Sequence, residues 1–266
     1  DYIMSKYKLL SEPTTNYKAK KNIKIGVDTY FLSLAHSDTS GYNVCPRANR
    51  LSRNEDNPLK SNCSSVCVAT NGNGNFPNVK KARERKTKLF FENRLEFMTL
   101  LVKDIKKAIE NSAKSGNIPT FRLNAYSDIK WEHINTDEDY IGKVKLPYNF
   151  KPFVNIFELF PAITFYDYTK LEGRKTPSNY HLTYSHFGLW DITNKVLNDG
   201  LNVAMVFNKN NPLPKKYNGV NVINGDKTDL RTKENDGNGI IVGLLAKMSK
   251  KNIENELSKD ISFIVN

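Results

Sequence analysis

His181-Leu-Thr-Tyr-Ser185, then Asp191–Asp199 closed by Gly200, then Asn202-Val-Ala-Met-Val-Phe207 is the stretch that decides the fold. The outer segments are short, apolar and aromatic, and end in polar residues, which predicts strands. The middle segment stops at a glycine, a common helix terminator, which predicts a helix. Strand, helix, strand is the repeating unit of parallel α/β proteins, because a parallel pair needs a long crossover between its strands.

The same reading extends outward. Lys24–Leu34 predicts a strand or hairpin, with Ile23, Ile25 and Val27 alternating. Phe121-Arg-Leu-Asn-Ala-Tyr126 predicts a strand ending in Ser127-Asp128. Phe153–Phe160 predicts a short helix, and Ile163–Thr169, Val220–Ile223 and Ile240–Leu244 predict strands. The clearest helix is Asn78–Asn111, capped by Asn78, where Leu89, Phe90, Leu95, Phe97, Met98, Leu101, Val102, Ile105 and Ile109 recur at helical spacing. Its first turns carry Lys80, Lys81, Arg83, Arg85, Lys86 and Lys88, against the dipole preference for acids there, and offer a place for phosphate. Five or six strand–helix units favour one α/β domain, an irregular (β/α) barrel of mainly parallel strands. It covers 4–266, with a Cys-bearing loop insertion at 41–78. Residues 1–3 read as a remnant ahead of a natural start at Met4. In such barrels chemistry sits at the carboxyl ends of the strands. Those ends present Ser127-Asp128, Tyr168-Thr169-Lys170, Ser185-His186, Asn208-Lys209 and Asn224-Gly225-Asp226.

Composition narrows the class. The chain has 266 residues and a formal net charge of +12, with 39% hydrophobic and 11% aromatic residues. That is enough apolar material for a core, which excludes a disordered tail. No apolar run approaches the ~18 residues of a membrane span, so no membrane partner is expected. Three Cys make a secreted disulfide scaffold an unsuitable reading. A soluble, basic, intracellular protein is expected, and the positive excess suits a polyanion such as DNA.

Cys45, Cys63 and Cys67 form a C-x17-C-x3-C set. Three thiols close in sequence suit a soft metal: zinc with a fourth ligand from His36, His133, His181 or His186, or an iron–sulfur cluster. Asp128 follows a strand, where a carboxylate serves as nucleophile, general base or base-reading acceptor. Asp226-Lys-Thr-Asp229-Leu-Arg231 is a dense polar cluster after another strand. Gly243 inside a strand marks close approach by a ligand or backbone, and Lys247 follows it. No phosphate-loop, dinucleotide or zincin motif is present, so nucleotide hydrolysis and zincin chemistry find no support.

Several segments in order carry a resemblance. They are Asn43-Val-Cys45-Pro46, Cys63-Ser-Ser-Val-Cys67-Val-Ala69, the basic helix, Arg122-Leu-Asn-Ala-Tyr-Ser-Asp128, Phe165-Tyr-Asp-Tyr-Thr-Lys170, Asn224-Gly-Asp226-Lys-Thr-Asp229-Leu-Arg231 and Gly243-Leu-Leu-Ala-Lys247. Over roughly residues 24–250 this resembles the bacteriophage "gene product 88" family. Arg47, Val68, Ser127 and Lys170 stand where that family has Gly, Tyr, Gly and Arg. The resemblance extends to phage enzymes that exchange guanine in DNA for a 7-deazaguanine, which look like relatives of the tRNA-guanine transglycosylases. It implies Asp128 and Asp226 as the two catalytic carboxylates, without saying which is the nucleophile. Ser127, Tyr126, Tyr168, Asp229, Arg231, Gly243 and Lys247 become substrate-binding residues by the same resemblance. Tyr126, Trp131, Tyr166 and Tyr168 become candidates to sandwich an extruded base. A zinc on Cys45, Cys63 and Cys67, DNA and a 7-deazaguanine as partners, and the cytoplasm of the infected bacterium as location complete the implication. Two other readings stay open: a radical-SAM-like iron–sulfur enzyme, and a non-catalytic basic protein that binds nucleic acid or a host protein.

Overall fold

The computed structural model describes residues 7–47, 76–134, 155–259 and 262–266. The chain divides into two compact units. One is built from Asp1–Cys45, Val68–Phe165 and Lys175–Tyr180, the other from Pro46–Cys67, Tyr166–Arg174 and His181–Asn266.

In the first unit, α1 (Tyr17–Ile23) leads into β2 (Val27–Leu32), which is preceded by the two-residue strand β1 (Leu10–Ser11). β2 pairs antiparallel with β1 and parallel with β3 (Ile118–Arg122), and β3 pairs parallel with the start of β4 (Thr164–Thr169). Every residue of β2 is buried, as expected for an interior parallel strand covered on both faces. Strand β2 carries α1 against it, and β3 carries α4 (Arg94–Ser115). Asp28 at the start of β2 is tied down from α4 and the following turn. Ser112 Oγ donates to its carboxylate at 2.9 Å and Asn117 Nδ2 at 3.0 Å.

The helix expected over 78–111 is two helices, α3 (Pro77–Glu92) and α4, separated at Asn93. Asn93 leaves helical geometry (φ −141°, ψ 75°), and its side chain accepts the Glu96 N–H at 3.2 Å. An asparagine with a carboxylate three residues later is a helix start, so the apolar periodicity runs through the break. α3 itself begins at Pro77 rather than at an Asn78 cap. The two helices bring Phe90 and Phe97 together, ring centroids 5.1 Å apart, with Trp131 packed on both. After β2, Ser37–Ser40 forms one short helical turn, α2. α5 (Ile156–Leu159) is capped by an Asn155–Glu158 capping box.

The second unit contains the unit that decided the sequence reading. β5 (Tyr180–Ser185), α6 (Trp190–Asn198) and β6 (Asn202–Phe207) form a parallel crossover, with Thr183, Tyr184 and Ser185 opposite Asn202, Val203 and Ala204. β6 pairs parallel with β9 (Ile241–Leu245), and β9 pairs parallel with β8 (Val220–Asn224). β8 turns back antiparallel to β7 (Lys216–Tyr217) through Asn218 and Gly219, both at positive φ (45° and 82°). α7 (Lys233–Asp236) is one turn between β8 and β9. α8 (Lys250–Leu257) leads from β9 to β10 (Ile264–Val265), which pairs parallel with Val206 and Phe207 beyond the end of β5. The core of this unit is Tyr184, Phe187, Val196, Leu197, Val203, Met205, Phe207 and Ile241.

The result is a mixed α/β fold with mainly parallel strands. Among the described residues the strands do not close into the expected barrel: their order is β1-β2-β3-β4 in the first unit and β5-β6-β9-β8-β7 in the second. Closure needs a full-length partner on each outer strand. The outermost strands here, β1 and β7, are two-residue antiparallel strands, which suits the end of a sheet. Of the Cys-bearing loop, 48–75 lies outside the described residues.

Candidate active site

The loop leaving β3 is built around one side chain, Asn124. Its Oδ1 accepts from Ser127 Oγ (2.7 Å), Ile129 N (3.0 Å) and Trp131 Nε1 (3.1 Å). Its Nδ2 donates to the Ile129 carbonyl at 2.9 Å and to Tyr180 Oη at 3.4 Å. An asparagine after a strand is a turn builder, and a buried one must satisfy both ends of its amide. The consequence is a rigid seat for Ser127 and Asp128, both buried, at the carboxyl end of a parallel strand.

A second segment closes on this loop. Asp128 N–H donates to the Val44 carbonyl at 2.8 Å, and Cys45 Sγ donates to the Tyr126 carbonyl at 3.6 Å. From α3, the Arg83 guanidinium lies 4.3 Å from the centroid of the Tyr126 ring. Cys45, Tyr126, Ser127 and Asp128, chosen from the sequence, are thus neighbours. Asn124 and Arg83 join them; the sequence reading assigns Asn124 no role and singles Arg83 out only as one of six cations. The signal for Asn124 was its type and place after a strand; Arg83 was hidden in a run of six cations. That run divides by helix face. Lys86 turns inward and donates to the Leu9 carbonyl at 2.6 Å. Burial is the main cause that lowers its pKa to about 8, although Asp104 acts in the other direction. Lys80, Lys81, Arg85 and Lys88 are exposed. Lys81, Arg85 and Lys88 rim a surface groove of about 540 Å³ that Thr39, Ser40 and Tyr42 also line.

Asp226, Asp229, Arg231, Gly243, Lys247 and Tyr168 belong to the second unit. Asp226 sits just past β8. Its Oδ2 accepts the Leu245 N–H at 2.9 Å, and its Oδ1 pairs with Lys247 Nζ at 2.8 Å. The carboxylate is therefore oriented by the end of β9. Arg231 is buried and shapes the turn. It meets both oxygens of Asp236 at 2.8 Å and donates to the carbonyls of Gly225 (2.8 Å) and Thr228. Burial opposes its charge, but Tyr168, Asp236 and Asp229 outweigh burial and raise its pKa above the usual arginine value. With its guanidinium so occupied, Arg231 holds the loop that carries Asp226 and Asp229.

The two glycines here serve the backbone. A Cβ on Gly225 would lie 2.4 Å from Val242 Cγ1, and one on Gly243 would lie 2.9 Å from Val222 Cγ1. Gly225 N–H also donates to the Gly243 carbonyl at 2.8 Å. Gly243 is thus required for strand-to-strand approach. The base-sandwich candidates divide as well. Trp131 and Tyr166 are fully buried core residues, whereas Tyr126 and Tyr168 are half-buried.

Cys63 and Cys67 lie outside the described residues, so the thiol trio is represented by Cys45 alone. Among the described residues, no three His, Cys, Asp or Glu side chains gather as a metal site. Of the candidate fourth ligands, His186 is buried with Nδ1 2.6 Å from Thr193 Oγ1. His36 uses Nδ1 to accept the Asp38 N–H at 3.2 Å.

Fold and site together define a mainly parallel α/β protein with its ionisable residues on loops that leave the carboxyl ends of strands, where such folds bind ligands. The chain belongs to the Gene product 88 family of phage proteins, whose model matches residues 5–260. Comparison with curated proteins and with solved structures finds no match. Among the described residues, no helix is long and apolar enough to cross a membrane.

Proposed function

We propose that the chain is a phage enzyme that exchanges guanine in DNA for a 7-deazaguanine, acting in the cytoplasm of the infected bacterium. The observation that carries this reading is the seat of Asp128. Its loop is knotted by Asn124 at a strand's carboxyl end, beside Cys45 and the Arg83–Tyr126 stack. The chemistry proposed is the one that the resemblance to base-exchanging enzymes implies.

In this reading Asp128 is the nucleophile. Its carboxylate attacks C1′ of the deoxyribose, the C1′–N9 bond breaks, and the bonding pair leaves with guanine, which takes up a proton. The incoming 7-deazaguanine then attacks C1′ through N9, gives up its N9 proton, and expels the carboxylate. The resemblance gives Asp226 the base-reading role, its carboxylate kept in place within the second unit by Leu245 N–H and Lys247. In the first unit Tyr126 offers a face for an extruded base and Ser127 a polar contact; Tyr168 and Asp229 are the corresponding candidates of the second unit. Gly243 and Arg231 act at one remove, by shaping the strands and loop beneath them.

The test is incorporation of labelled guanine, or displacement of it by a 7-deazaguanine, in duplex and single-stranded DNA. The wild-type chain is expected to exchange base. Asp128→Asn is expected to abolish exchange while DNA binding persists. Wild-type DNA binding without exchange would overturn the reading in favour of a non-catalytic basic binder, for which the exposed Lys80, Lys81, Arg85 and Lys88 of α3 speak.

The cofactor proposal is a metal on Cys45, Cys63 and Cys67, with zinc favoured. Thiolates suit zinc or iron–sulfur, and a structural zinc would tie the Cys45 segment to the rest of its loop. Elemental analysis of anaerobically purified protein is expected to give about one zinc per chain, lost in Cys63→Ala. Iron with labile sulfide would move the weight to the cluster enzyme; no metal would sink the thiol site.

A further inference from the structure

The groove between α2 and α3 in the first unit has no part in the base-exchange chemistry. Its volume is about 540 Å³, and one wall is the helix face on which Lys81, Arg85 and Lys88 recur. Spacings of four and three residues put these cations in one row, about 10 Å long from Lys81 to Lys88. All three are exposed. Among the described residues Lys81 makes no ion pair, and Lys88 meets only Glu92, at 3.9 Å. The Arg85 guanidinium lies 4.2 Å from the centroid of the Tyr7 ring. Such a stack uses the face of the guanidinium and leaves its in-plane N–H donors open.

The other wall is the end of α2 and the residues after it, where Tyr42 lines the groove. Its ring is fixed twice. It stacks on Phe91 with centroids 4.5 Å apart and 7° between the planes, and its Oη donates to Glu92 Oε1 at 2.6 Å. Phe91 is exposed and lies one turn past Lys88, so the pair forms an aromatic ledge beside the end of the cationic row. Glu84 and Glu92 line the groove too, so its charge is mixed. Three cations against two carboxylates hold a lone anion poorly, because the excess is small and water screens exposed charges. A chain that offers phosphates to the row and a flat ring to Tyr42 gains from both. A duplex does not meet this demand, because its bases are already stacked on one another.

We propose that this groove is a docking track for a single-stranded polynucleotide, with the sugar–phosphate backbone along Lys81, Arg85 and Lys88 and a base on Tyr42. The net charge of +12 adds long-range attraction for such a partner. A strand docks here whether or not a base is exchanged elsewhere, so the track does not require the base-exchange reading. Single-stranded DNA and RNA share this chemistry, and the experiment separates them.

The probe is a labelled oligothymidylate of about ten nucleotides, within the site size of single-strand modules, titrated against the whole chain and read by fluorescence anisotropy at several salt concentrations. Saturable, salt-sensitive binding is expected. Lys81→Gln/Arg85→Gln/Lys88→Gln is expected to flatten the slope of log affinity against log salt by about 2, since each phosphate contact contributes ~0.7. Tyr42→Ala is expected to weaken binding about tenfold at every salt concentration with the slope kept, and Tyr42→Phe, which keeps the ring, to retain binding. Lys103→Gln/Lys106→Gln/Lys107→Gln makes the same charge change among exposed residues of α4 and is expected to leave the slope at the wild-type value. Circular dichroism checks that each variant is folded. Oligouridylate then names the source: tighter binding than oligothymidylate assigns the track to RNA, weaker binding to DNA, and equal binding to the backbone they share. Absence of saturable binding in the wild type overturns the proposal. So does a slope flattened equally by the α3 and α4 triple variants, an unchanged affinity in Tyr42→Ala, or a duplex that competes as well as the single strand. Because docking is read without an incoming base, failed base exchange leaves this result standing, and the reverse holds as well.

Discussion

Arg231→Met is expected to lower the unfolding free energy by about 3–5 kcal/mol, the range for breaking a buried ion pair from one side. The Asp236 side chain is only 2% exposed, and both its oxygens face the Arg231 guanidinium at 2.8 Å. Removal of the guanidinium leaves a carboxylate charge buried beside one remaining amide donor, Asn235 Nδ2 at 2.7 Å. The carbonyls of Gly225 and Thr228 lose a donor in the same stroke. Arg231→Lys is expected to rescue little, because a single ammonium cannot present the guanidinium fork to two oxygens and two carbonyls at once. The double variant Arg231→Met/Asp236→Leu is expected to be more stable than the sum of the single losses predicts, since it leaves no buried charge. Urea denaturation measures all four. A loss below about 1 kcal/mol in Arg231→Met would show that the turn after β8 does not depend on this pair.

Acid is expected to cost the protein about 3 kcal/mol through His186 alone. In the unfolded chain this imidazole takes up a proton near its ordinary pKa of 6.5; in the folded chain burial and the neighbouring Lys170 hold it back to about 4. Between those values the unfolded chain binds the proton and the folded chain does not. The contribution is therefore fully present above pH 6.5 and is lost as the pH falls through 4. The residue is 5% exposed, so solvent does little to screen the effect. Unfolding free energies at pH 7 and pH 4.5 for the wild type and His186→Gln measure it. The variant is expected to show a much shallower dependence, and an equal slope in both would exclude His186 as its source.

Much of the fold was legible in the sequence, for identifiable reasons. β6 was read with its final bounds, and β4, β5, β8, β9 and α6 to within one residue. Each is a short apolar run closed by a polar residue or a glycine, so local pattern and tertiary role agree. The helix break at Asn93 and the Asn218-Gly219 hairpin carried signals of capping and turn chemistry, but strong apolar periodicity and short strand length masked them. The strands β1, β7 and β10 have two residues each, too few to show any period, and exist because a neighbouring strand offers hydrogen-bonding partners.

The candidate site was legible as residue types rather than as neighbours. Cys45 and Asp128 are 83 positions apart, and no spacing rule relates them. A backbone bond from Asp128 N–H to Val44 and a thiol contact to Tyr126 bring the segments together. Arg231 was legible as a charged residue in a polar cluster and was assigned to substrate. Its burial against Asp236 makes it a clamp, a distinction between solvated and desolvated charge that composition does not carry.

The sequence by itself determined that strands and helices alternate, that the strands run mainly parallel, and that polar residues gather where they end. These follow from local periodicity and from the crossover that a parallel pair requires. Only the tertiary structure decided that the strand order of the described residues stays open, that Gly243 and Trp131 serve packing, and that Lys170 and Arg47 both approach the Phe187 ring. Closure, burial and charge clustering depend on which distant residues become neighbours, and that is set by the packing of whole elements around their cores.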